Sequence, residues 1–491
     1  MLRLAGFSLA VFLALPGAAM AQSKSKAPVG AEQFAIYKDF AASIVLKAGQ
    51  TETLNTMKAG NVNLDPPSAS DKQLLEEMAK YYIYPITQPE TYFAITKEDV
   101  DLPIKSFEAP SLTKVFNGLK SQLVIVAPGS NLPATQVAYA REFGVACTKA
   151  IKDIFAKGPP PIVRINALRV LALVAETGAP APWPLIAEQL AKKNEKDPPL
   201  DVLFYGLRAA EGALASYDAD RGLKDKNWVQ KKAYFDLVSL VDEFGNNPPD
   251  AIVSKTFLSE SSTTATLTTN PKAPKAALTI EQRASVQAFR LNAIRALAKV
   301  KTDVIRIDGA KPGDPERVVR PLFTLARFCV TDNSLIAPPS AREIGESLLG
   351  IANMTLSETV DPLIFAAVIT RGTIDFGVQK SKEQNQTGEK AVSSLPWKVY
   401  GTKLEASFAV WEKEVQSFRT KLPKEGKELI VATVQQATRD YFAPMAKTDG
   451  KIVTETMQSL WEKRVTEIGA AKTPPALFTD QPKLQFNAAG K

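Results

Sequence analysis

Ser111-Leu112-Thr113-Lys114 has the spacing in which a lysine activates a serine nucleophile for acyl transfer. Such enzymes also need a Lys-Thr-Gly strand, and at 301–303, 447–449 and 472–474 Lys-Thr is followed by Asp or Pro instead. Gly372 and Gly377 stand at phosphate-loop spacing, but Val378 replaces the lysine that would reach the phosphates. Gly345-Glu346-Ser347 lacks the second glycine of a nucleophile elbow, which falls at Gly350, one residue too late. Asp218, Asp220 and Asp225 around Gly222 have the look of a calcium loop, yet the closing carboxylate is out of place and a solvated turn is the better reading. Pairs of carboxylates for glycoside cleavage remain open, since 52 acidic residues offer many and their separation in space is not legible.

The chain has no histidine and two cysteines. That excludes Ser-His-Asp and Cys-His triads, histidine-containing zinc sites and covalent haem of the CxxCH type, each of which needs an imidazole. Catalysis is confined to carboxylates, lysine, serine or tyrosine. No catalytic, cofactor-binding or metal-ligating residue is assigned, and no cofactor is expected. Cys147 and Cys329 lie in apolar helical contexts, where two buried small side chains fit better than a disulfide.

Residues 1–21 read as a secretory signal peptide. Arg3 supplies the positive start, Leu4 to Leu15 the apolar run, and Ala19-Met20-Ala21 the small residues before a cleavage site ahead of Gln22. The run is too short to span a bilayer, and no later stretch approaches 18 apolar residues. The expected product is exported, periplasmic or extracellular, with no membrane span. A formal charge of +8 over 491 residues, with no cluster of basic and aromatic residues, argues against a nucleic-acid partner.

Helices must position whatever function there is. Residues 22–110 are expected to form an N-terminal cap: a helix over 31–58, a second beginning at Ser70 with Gln73 at capping-box spacing, and an extended or hairpin segment over the proline-rich 83–110. From 111 to 378 helix follows helix, with runs of proline at Pro159 to Pro161, Pro198-Pro199, Pro248-Pro249 and Pro338-Pro339 placed to open helical runs. Within it, the Ser/Thr-rich stretch 254–277 reads as a long loop ending where Thr279 and Gln282 can cap the next helix. A polar linker over 379–396 separates a C-terminal helical unit, 397–491, in which Trp411 and Trp461 sit in similar sequences and anchor packing.

Two helices 126 residues apart nearly repeat one another. Residues 163–172 and 289–298 share Arg164/Arg290, Asn166/Asn292, Ala167/Ala293, Arg169/Arg295, Leu171/Leu297 and Ala172/Ala298. Arg342, Gly345 and Leu349 repeat the same spacing, and Val319-Arg320 follows an Asp314-Pro315 opening. In this pattern of Val-Arg, a small residue and then Leu, the chain resembles the HEAT-repeat family, over roughly 120–350. Leu203 stands where one arginine would be, and Phe323 where one small residue would be.

The resemblance implies an all-α chain, an irregular α-solenoid of HEAT-like helical hairpins. It also implies that the repeated arginines bond acidic or carbonyl groups of adjacent repeats, a structural role. The function expected is that of a non-enzymatic scaffold binding another protein or an envelope polymer along an extended surface. The alternative is a carboxylate- or Ser/Lys-based hydrolase or lyase acting on an envelope polysaccharide or peptide.

Overall fold

The computed structural model describes residues 36–92, 111–126, 130–195, 199–217, 231–246, 280–307, 316–329, 337–384, 397–417, 422–447 and Leu477. The expected signal peptide, the Ser/Thr-rich loop with Thr279, the acidic turn at 218–225, Asp314-Pro315 and Trp461 lie outside them.

The described part is mostly helical. The N-terminal region holds α1 (Tyr37–Ala41), α2 (Gln50–Lys58) and α3 (Ala69–Ile83). The single helix expected over 31–58 is broken, because Val45 is extended and Gly49 takes φ 80° to start α2 afresh. The cap of α3 is Ser68 rather than Ser70: its Oγ accepts from the Asp71 amide while Asp71 accepts from the Ser68 amide. The proline-rich 84–91 forms two tight 3-10 turns, Tyr84–Thr87 and Pro89–Thr91, not extended chain. In each turn a proline occupies an opening position, where a missing amide costs nothing.

The rest comprises α4 (Leu112–Gln122), α5 (Ala134–Ala156), α6 (Pro161–Ala175), α7 (Pro182–Ala191), α8 (Leu200–Ala215), α9 (Lys231–Asn246), α10 (Ile280–Leu297), α11 (Pro321–Cys329), α12 (Ala341–Ile351), α13 (Pro362–Gln384), α14 (Trp397–Ser417), α15 (Lys424–Ala437) and α16 (Ala443–Lys447). Pro161 opens α6 and Pro199 directly precedes α8, as the proline runs predict, and single prolines open α7, α11 and α13. Helix α13 continues six residues into the stretch read as a linker.

Contacts run along two rows. In one, α6 packs on α8, α8 on α10, α10 on α12 and α12 on α14. In the other, α5 packs on α7, followed by α9, α11, α13 and α15. Rungs join the rows where α5 meets α6, α7 meets α8, α9 meets α10 and α11 meets α12. Among the described residues one large hydrophobic cluster runs through both rows, from Ile36 to Leu477, with a small second one at Val126 and Ala140. Helices such as α6, apolar almost all round, are stable only when covered on several sides in this way.

Small residues set how closely the rows approach. A Cβ on Gly350 would lie 2.9 Å from the Ala298 backbone, and one on Gly345 2.8 Å from the Tyr400 ring. Gly372 and Gly377, which have phosphate-loop spacing, are instead inside α13, packed against Cys329 and Tyr441. Trp411 is fully buried, with its indole N–H donated to the Met354 carbonyl at 2.9 Å and its ring stacked on Phe365. Cys147 and Cys329 are buried free thiols.

One hairpin interrupts the helices. Strands β1 (Ile305–Ile307) and β2 (Arg317–Val319) pair antiparallel, with Arg306 opposite Val318, and lie against α9. Val319 therefore closes a strand and Arg320 precedes α11, so neither occupies the helical repeat position the sequence suggests. Pro321 is the physical reason, since its ring disfavours helical backbone in the residue before it.

Candidate functional site

The repeated arginines act alike in space. Arg164 on α6 donates to Asp201 at the start of α8 at 2.9 Å. Arg290 on α10 donates to Glu343 at the start of α12 and, at 2.8 Å, to the Ala337 carbonyl. Each therefore ties its helix to the next one in the same row. Asn166 and Asn292 also match: each donates to the carbonyl four residues back, Ile162 at 2.8 Å and Ala288 at 2.9 Å. Ala167, Leu171, Ala293 and Leu297 are wholly buried. Arg342 is half-buried on α12, Gly345 meets Tyr400 and Phe376, and Arg320 lies buried ahead of α11.

Leu349 has a second setting. It lines an open cleft of about 360 Å³ whose walls come from four successive helices of the first row. The walls carry Glu211 of α8, Arg295 and Lys299 of the α10 segment, Glu346 of α12 and Lys403 of α14. Arg295 reaches Glu346 at 3.2 Å, and Lys299 approaches Glu211 at 3.7 Å. Ala298, Leu349 and Ala406 add apolar surface to a lining that is otherwise mostly polar. Tyr400 donates to Glu346 at 3.4 Å, and burial pushes its phenol well above the usual range.

This arrangement sets charged side chains of both signs beside apolar surface. Both carboxylates are engaged by cations of a neighbouring helix, which makes them bridging groups. Ser111 and Lys114 are exposed at the start of α4 with no hydrogen bond between them, so the SxxK spacing assembles no Ser–Lys pair. Among the described residues no group of three or more Cys, Asp or Glu is placed to hold a metal ion. No described helix is long and apolar enough to cross a membrane.

Of the repeat positions singled out in the sequence, Arg295, Ala298 and Leu349 line the cleft. The signal that leads to it is the second arginine of the repeat, five residues beyond Arg164 and Arg290, at Arg169 and Arg295. Arg208 stands five after Leu203 on α8, in register with both. No protein-family model, curated protein or solved structure matches the chain.

Proposed function

We propose that the chain is an exported, non-enzymatic scaffold of HEAT-like helical hairpins, an irregular α-solenoid that binds another protein or an envelope polymer along an extended surface. The cleft carries this reading, because its walls come from α8, α10, α12 and α14 in turn. A surface built from successive helices of one row continues from unit to unit, which is how stacked helical pairs make long binding faces. The matched bridges from Arg164 to Asp201 and from Arg290 to Glu343 support it further, since they repeat one junction at two places in the row.

The test uses the full chain in the envelope of an expressing cell. A photo-crosslinking residue replaces Ala406 or Ser407, on the cleft wall, or Lys114 on α4 as a control. One envelope component captured in stoichiometric yield from the cleft positions alone is the expected result. Recovery of the uncrosslinked chain from every position overturns the proposal.

A further inference from the structure

The first row carries at least one cation on every helix, in two registers, since Arg342 stands where Arg164 and Arg290 do and not where Arg169 and Arg295 do. Arg169 of α6, Arg208 of α8, Arg295 of α10, Arg342 of α12 and Lys403 of α14 place one on each successive helix. Arg169, Arg208 and Arg295 occupy the same place in their repeats, five residues beyond Arg164, Leu203 and Arg290. The helices are in contact in that order. Arg169 lies over the Phe116 ring at 4.5 Å and close enough to Arg208 for the two charges to oppose one another. Glu211 lies one turn beyond Arg208 and leads across to Lys299, and the pair of Arg295 with Glu346 leads on to Arg342, one turn before Glu346. Among the described residues, Arg208, Arg342 and Lys403 lie within 4 Å of no carboxylate, although Arg208 acts on Glu176 from farther off; Lys403 is exposed and the two arginines are half-buried.

Spacing and charge select the occupant. Packed helices lie about 8–10 Å apart, so cations on successive helices recur at about that interval. A polyproline-II segment rises about 3.1 Å per residue with three residues per turn, which brings every third side chain to one face about 9 Å apart. Glu176, Glu211 and Glu346 interrupt the series and would repel a uniform polyanion, whereas a peptide can set neutral residues and backbone amides against them. The apolar surface that Ala298, Leu349 and Ala406 contribute suits the uncharged residues between the acids.

We infer that the first row binds an extended acidic peptide segment of a partner protein, with a carboxylate at every third residue answering one cation per helix. This rests on the scaffold reading above and narrows it to a class of partner.

The test titrates the purified mature chain with a labelled 18-residue peptide of repeating Glu-Ser-Thr. A peptide of equal composition with its glutamates at one end, and inorganic polyphosphate, serve as comparisons. The repeating peptide is expected to bind most tightly, and R208S/K403S to weaken it about tenfold, the loss expected for one exposed and one half-buried ion pair. K114S, a change on α4, is expected to leave affinity unchanged, with circular dichroism and thermal midpoint confirming that each variant is folded. Equal affinity for the clustered peptide, tighter binding of polyphosphate, or an unaffected R208S/K403S each overturns the inference. Crosslinking separates the two proposals: a partner captured from Ala406 whose yield R208S/K403S leaves unaltered sinks the acidic-peptide assignment and leaves the scaffold standing.

Discussion

Arg290 and Glu343 are 3% and 0% exposed, a full ion pair inside the row. Removing one partner leaves the other charge buried and unmatched, at a cost of about 3–5 kcal/mol, while replacing both with apolar residues of similar volume is close to neutral. Glu343→Leu should therefore lower stability steeply in urea unfolding, and Arg290→Met with Glu343→Leu should recover most of it. Asp242 on α9 accepts from Thr324 of α11 at 2.6 Å, and burial pushes its carboxyl up to about 6 from an ordinary 3.8. The folded state then holds its proton to higher pH than the unfolded state does. The stability this group contributes is accordingly greatest below pH 4, falls as pH rises towards 6, and is flat above. Asp242→Asn should remove that slope, seen as thermal midpoints measured from pH 4 to pH 8.

At the level of elements, close approach between helices depends on glycine. A Cβ at Gly350 meets Leu325 at 2.7 Å as well as the Ala298 backbone, which cannot swing aside as a side chain can. Gly350→Ala gains about 1 kcal/mol of helix propensity and loses about 1–3 kcal/mol to overpacking. A net destabilisation is expected, read as a lower guanidinium midpoint. Helix starts follow local chemistry more directly. The proline openings of α6 and α8 are legible because their cause lies within one turn. For α3, serines at both 68 and 70 satisfy the capping spacing, and only geometry chooses Ser68 between them.

On the scale of the whole molecule, the described chain is two rows of helices with one core passing through them. The reading of residues 1–21 as an export signal belongs to this scale, because a cleaved signal would decide which compartment the array meets. Amino-terminal sequencing of the secreted product should begin at Gln22, and an intact Met1 start in the envelope fraction would refute the signal reading.

The sequence by itself determined the helical class, the exclusion of imidazole chemistry and the equivalence of Arg164 with Arg290. Composition, period and self-similarity are properties of the chain read along its length, so they need no coordinates. Only the tertiary structure decided the hairpin of β1 and β2 and the displacement of Arg320 from a helix, because short apolar runs fit strand and helix alike. Only it brought Glu211, Arg295, Glu346 and Lys403 to one cleft. These residues lie on four helices far apart in sequence, and the packing of one helix on the next makes them neighbours.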